Sequence, residues 1–130
     1  MQFSENRLVL ASGSVVTFNY KVSEVLEFGD TAVVLLETSG TKSPLPGVVA
    51  DVTATKGSDV FGVSNTDGRV LWQIVPVGIS PGEVGEAVDA QYVAIYRKDD
   101  GVLRVGNWGG YSLYLDPATG KEVRKRTWAK

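Results

Sequence analysis

Phe61-Gly62-Val63-Ser64-Asn65-Thr66-Asp67-Gly68-Arg69-Val70-Leu71-Trp72 consists of two apolar runs hinged on an Asn-Thr-Asp-Gly tetrapeptide. Glycine reaches positive φ at no steric cost, and Asp and Asn side chains bond the backbone of a turn, so this stretch reads as a β-hairpin. Working outward, Val70, Trp72 and Ile74 alternate with Arg69, Leu71 and Gln73, which is the period of a strand and not of a helix. The same grammar recurs at Gly29-Asp30, at Lys98-Asp99-Asp100-Gly101 and at Asp116-Pro117-Ala118-Thr119-Gly120. Ten short strands are predicted on this basis, over 7–10, 14–18, 22–28, 31–37, 58–64, 69–75, 91–97, 101–106, 110–115 and 121–128. The run Ala32-Val33-Val34-Leu35-Leu36 is apolar on both faces and predicts a strand covered on both sides. A single helical turn between Pro81 and Asp89 is the only helix the pattern admits.

Aligning the turns exposes an internal repeat. Phe61 to Leu71 lies over Leu113 to Val123, glycine on glycine at Gly68 and Gly120, and the strand pairs before them correspond as well. Residues 22–75 and 91–128 therefore each predict a four-stranded meander, with 7–18 as an extra N-terminal hairpin; the second half of connection 38–57, residues 48–54, admits an additional short strand. The expected architecture is one all-β antiparallel domain over residues 1–130, packed as a sandwich or partial propeller. Its expected core, between two sheets, comprises Val33, Leu35, Phe61, Val63, Trp72, Ile74, Val93, Ile95, Leu113 and Leu115.

The segments Val63 to Trp72 and Leu115 to Val123 resemble blades of quinoprotein-type β-propellers. Those repeats read roughly apolar-Asp-x-x-Thr-Gly-Lys-x-apolar-Trp between the last two strands of a blade. Ser64 departs from that pattern, and Arg124 stands where a second Trp belongs. The resemblance covers two blades and implies architecture, without any quinone-binding or catalytic residue. Closed propellers need about four blades or more, so two must pack face to face or assemble with other chains.

Composition bounds the chemistry. The 130 residues include no cysteine and no histidine, which removes disulfides, thiolate nucleophiles, His-dependent triads and the commonest zinc ligand. P-loop, dinucleotide-glycine and EF-hand patterns are missing, so neither a cofactor nor a metal is implied. Fifteen acids leave room for a carboxylate pair of the glycosidase kind, but nothing in the sequence selects one. No apolar run approaches the ~20 residues of a spanning helix, and no secretory leader is visible, so no membrane association is expected and a cytoplasmic location is. The net charge of −2 conceals a split: residues 1–90 carry five Lys/Arg against eleven Asp/Glu, and residues 91–130 carry eight against four. Nucleic acid could exploit the basic end, Lys121 to Trp128, but lysine and arginine also protect edge strands from aggregation, which is the preferred reading.

Candidate function comes from the parity of the connections. In a meander, successive connections alternate between the two ends of the strands. The short ones (11–13, 29–30, 65–68, 98–101, 116–120) fall at one end. Connections 19–21, 38–57, 76–90 and 107–109 fall at the other, bringing Lys42, Asp51, Lys56, Glu83, Glu86, Asn107 and Trp108 to one expected partner-binding end. Trp108, inside Gly106-Asn107-Trp108-Gly109-Gly110, either anchors an interface or tucks back as a plug. The sequence thus predicts a non-enzymatic protein-binding module, with an inhibitor or immunity-type protein as its concrete form. A self-associating half-propeller and a carbohydrate or small-molecule binder are the rival readings.

Overall fold

The computed structural model describes residues 2–38, 45–48, 50–55, 57–76 and 91–128. Among the described residues eleven strands form three antiparallel sheets, each a meander of chain neighbours. The first sheet holds β1 (Gln2–Ser4), β2 (Arg7–Val9) and β3 (Val15–Thr17). The middle sheet holds β4 (Val22–Phe28), β5 (Thr31–Leu36), β6 (Val60–Ser64) and β7 (Val70–Gln73). The third holds β8 (Tyr92–Arg97), β9 (Leu103–Asn107), β10 (Tyr111–Leu115) and β11 (Glu122–Trp128). No helix occurs among the described residues, and the helical turn expected between Pro81 and Asp89 lies outside them.

The strand of the first sheet that sequence periodicity missed is β1, too short to alternate visibly; it pairs with β2 from Gln2↔Val9 to Ser4↔Arg7. The extra strand expected over 48–54 reduces to one parallel bridge, Phe18↔Val52.

The sheets stack in three layers around two cores, not in two layers around one. Ala32, Val34, Leu36, Phe61 and Val63 face the first sheet, meeting Leu8, Leu10, Val16 and Phe18. From the opposite face of the same strands, Val33, Leu35 and Val60 meet Ile95, Leu103, Val105, Leu113 and Leu115 of the third sheet. Alternation along β5 and β6 thus feeds two hydrophobic interiors, which is why these strands carry no polar face. Phe61 and Val63 accordingly belong to the first core, apart from the other expected core residues. Val93 belongs to neither: a register break between Tyr92 and Ala94 turns it outward, and it is 49% exposed.

Trp72 locks the second layer to the third. A register break opposite Gly62/Val63 puts Val70 against the first core and Trp72 in the second. The indole Nε1–H donates to the Pro117 carbonyl at 2.7 Å, and the ring lies between Gly62 and Gly120. A Cβ on Gly62 would come within 2.0 Å of the indole, and one on Gly120 within 2.6 Å. Gly120 also holds φ +73°, which strains any residue with a Cβ.

Trp72→Ala should therefore cost ~3–5 kcal/mol, the order for deleting a buried aromatic. Gly62→Ala should be strongly destabilising through displacement of the indole, while Gly106→Ala, with nothing nearer than 4.0 Å, should be close to neutral. Urea denaturation of the three variants checks this; a Gly62→Ala protein as stable as the Gly106→Ala protein would mean that the indole is not confined.

Candidate functional site

Hydrogen bonds sort the connections by end. At one end, Glu37 N–H donates to the Lys21 carbonyl at 2.8 Å, and Asn19 bonds Ala54 in both directions, at 2.8 and 2.9 Å. Tyr92 Oη–H donates to the Val75 carbonyl (2.8 Å), and Trp108 N–H to the Gln91 carbonyl (2.9 Å). The described flanks of connections 19–21, 38–57, 76–90 and 107–109 thus meet at this loop end. The tight turns meet at the other end, where Asn65 N–H reaches the Asp30 carbonyl (2.8 Å) and Trp72 reaches Pro117.

Among the residues expected at the loop end, Lys42, Lys56, Glu83 and Glu86 lie outside the described residues. Asp51 is exposed but structurally committed. Its Oδ2 accepts both the backbone N–H and the hydroxyl of Thr17, each at 2.9 Å, pinning the 50–54 segment to β3. Asn107 is 5% exposed, and its Oδ1 accepts the Tyr111 N–H at 2.9 Å, closing the β9–β10 turn. Trp108 alone stands free of the scaffold, with 65% of its surface exposed. The plug role is thereby ruled out. Its turn is nonetheless rigid, held by Trp108 N–H to Gln91, Gly110 N–H to the Asn107 carbonyl (3.2 Å) and Trp128 Nε1–H to the Gly109 carbonyl (3.1 Å). Asp51 and Trp108 sit beside the first and third sheets, separated by the middle one. With sheets stacking ~10 Å apart, they mark two sides of the end and not one compact cluster.

The sequence reading also missed a buried carboxylate at the same end. Asp59 is 0% exposed, one residue before β6. Its Oδ2 accepts the Thr38 hydroxyl at 2.8 Å and its Oδ1 the Tyr92 N–H at 3.2 Å, which ties the ends of β5, β6 and β8 together. A single acid heading an otherwise apolar strand was the available signal. Burial raises its pKa from the ordinary 3.8 to about 6, partly offset by those two hydrogen bonds. A cavity of about 80 Å³ shares Thr38 and Tyr92 with this cluster and is also lined by Ser23, Leu36, Glu37 and Val93. Glu37 is the acid of its wall, while Asp59 stays behind Thr38 and Tyr92. Among the described residues no group of three His, Cys, Asp or Glu is placed to hold a metal ion.

The family model described as a domain of unknown function (DUF7957) matches residues 1–127. The chain belongs to the DUF7957 family. No curated protein and no solved structure matches it. The matched span takes in all three sheets, so the stack, the loop end and the third sheet described here are features of a DUF7957 domain as a whole and not of an appendage.

The raised pKa of Asp59 gives the DUF7957 domain a specific pH signature. Below the unfolded value the acid is neutral in both states and has no effect. As pH rises past that value the unfolded chain ionises first, so stability is lost progressively up to about pH 6, the folded pKa. The loss is on the order of 3 kcal/mol, from about two pKa units. Asp59→Asn keeps an acceptor for Tyr92 and a partner for Thr38, and should not show this loss. Denaturation of both proteins at acidic and neutral pH should find the Asp59→Asn variant gaining on wild type as pH rises; a constant difference would show that Asp59 is not a buried acid.

Proposed function

We propose that this DUF7957 domain is a non-enzymatic protein-binding module of the cytoplasm, an inhibitor or immunity-type protein in its concrete form, which captures its partner at the loop end. The observation that carries the reading is Trp108: 65% exposed, on a glycine-flanked turn whose backbone is held by two backbone hydrogen bonds and by the Trp128 indole N–H. A large aromatic presented to solvent from a fixed backbone costs little backbone freedom on binding, and tryptophan is among the residues most enriched at interface hot spots. Trp128, 41% exposed, lies beside it through the Gly109 carbonyl and widens the apolar surface. The chemistry of the site supports binding over catalysis. Asp59 is sealed from solvent, Asn107 and Asp51 are spent on turn closure and loop attachment, and the cavity near Asp59, about 80 Å³, is well below the roughly 300–1,000 Å³ of ordinary ligand pockets.

The propeller resemblance supports an architectural reading within this proposal: successive sheets stacked face to face as a rigid base for loops. Binding through loops on such a base needs no closed ring.

Trp108→Ala should weaken capture of the native partner by about thirtyfold or more, the hot-spot scale, without moving the thermal melt. Reversing Glu83 and Glu86 together should act on association rate and salt dependence. Asp99→Ala and Lys121→Ala, at the turn end, should leave capture intact. Titration of the partner recovered from the native host checks this; loss of capture with the turn-end variants and not with Trp108→Ala would move the site to the other end.

A further inference from the structure

The outer face of the third sheet carries a row of four side chains that the loop-end site does not use. Register places Tyr96 of β8 opposite Arg104 of β9, Arg104 opposite Tyr114 of β10, and Tyr114 opposite Arg124 of β11. Their neighbours Ile95, Val105, Leu113 and Leu115 point into the second core, so the row faces away from the stack. The guanidinium of Arg104 lies 5.3 Å from the Tyr96 ring centroid, and that of Arg124 lies 5.3 Å from the Tyr114 ring centroid. Arg124 is committed, through an ion pair with Asp100. Arg104 is not: its Nε–H donates to Ser112 Oγ at 3.2 Å, and no carboxylate among the described residues pairs with it.

The corresponding row of the middle sheet shows what this arrangement replaces. There, register aligns Leu26, Val33, Gly62 and Trp72 across the four strands, with the three side chains turned toward the third sheet. At the same places in the repeat, the third sheet has Tyr96, Arg104, Tyr114 and Arg124. The apolar row that receives a neighbouring sheet has become an alternating Tyr-Arg row that faces water, with Tyr96 49% exposed.

We infer that this face is a second recognition surface, on which Arg104 takes a carboxylate from an acidic segment of a protein partner between Tyr96 and Tyr114. The inference extends the protein-binding reading but does not depend on Trp108. Charge complementarity selects the occupant. A guanidinium oriented by an aromatic ring and a hydroxyl presents its remaining N–H groups as a planar fork that fits a carboxylate. Phosphate backbones draw their affinity from several neutralised charges in a track, whereas this row supplies one uncommitted cation in a protein of net charge −2. A second copy stacked here would have to bury Arg104 without a partner.

The test titrates the whole protein with a labelled polyglutamate peptide, following backbone amides and the Arg104 Nε–H by NMR. Shifts should concentrate at Tyr96, Arg104, Ser112 and Tyr114. Arg104→Gln should weaken binding about tenfold, and Arg104→Lys, which keeps the charge and loses the fork, should weaken it as well. Arg7→Gln on the first sheet and Lys21→Gln before β4 should change it less than about twofold. Trp108→Ala should leave it unchanged, so failure here is separable from failure of the loop-end site. Equal losses in all the charge variants would reduce the effect to net charge and overturn the proposal. Tighter, Arg104-dependent binding of oligothymidylate would make the face a nucleic-acid surface, and a dimer abolished by Arg104→Gln would make it a self-association face; either result also overturns it.

Discussion

The second core depends on one side chain occupying a slot that two glycines keep open. Trp72 reaches across from β7, donates its only side-chain N–H to the Pro117 carbonyl and lies against Gly62 and Gly120. Buried indole N–H groups need a partner, and the turn of the next sheet supplies it. The contact is thus both apolar and directional: it sets how far the third sheet sits from the middle one and fixes its position along the strands. The turn glycine on the first core's side, Gly68, lies nearest Val16, Leu10 and Ser14, none of which donates a directional bond there as the indole does to Pro117.

A sheet buried on both faces cannot be specified by simple alternation, because every residue is apolar. Ala32 to Leu36 shows the consequence. Its sequence says that both faces are covered but not by what, and the expected sandwich assigned a single core to residues that divide between two. What divides them is parity along the strand, which the repeat could have supplied: Val33 and Leu35 occupy one phase, Ala32, Val34 and Leu36 the other. The register breaks at Val93 and opposite Gly62/Val63 were invisible because a bulge changes which face a residue takes without changing its hydrophobicity.

The candidate site was legible to a different depth. Connection parity needs only the number and order of strands, and it placed Trp108 at the loop end although the expected core list merged two interiors. Adding β1 ahead of β2 does not alter the relative parity of anything after it. The roles of Asn107 and Asp51 were not legible, since a polar residue beside a turn looks the same in sequence whether it faces a partner or closes the turn. Their hydrogen bonds to Tyr111 and Thr17 assign them to the scaffold. Asp59 was hidden for the opposite reason: an isolated acid in a strand reads as solvent-facing, whereas its partners Thr38 and Tyr92 are distant in sequence and converge only when the middle and third sheets stack.

The charged outer row of the third sheet is allowed by the direction of the stack. Each internal face must be apolar to receive the next layer, and of the two four-stranded sheets only the final one is free to carry charge across its outer row. The exchange is concerted. Where Gly62 lets Trp72 lie toward a neighbour, Tyr114 fills the equivalent gap and Arg124 folds over it, 5.3 Å from the ring centroid, while Asp100 takes up the charge. One substitution without the other would leave either an unfilled slot or an unsupported cation. The pair together ends the repeat, as a polar outer face does in stacked repeats generally. Where the internal repeat has Trp72, position 124 thus carries an arginine that covers the Tyr114 ring. The same exchange places Arg104, at the position in the row that Val33 holds in the middle sheet, on the outer face between two tyrosines.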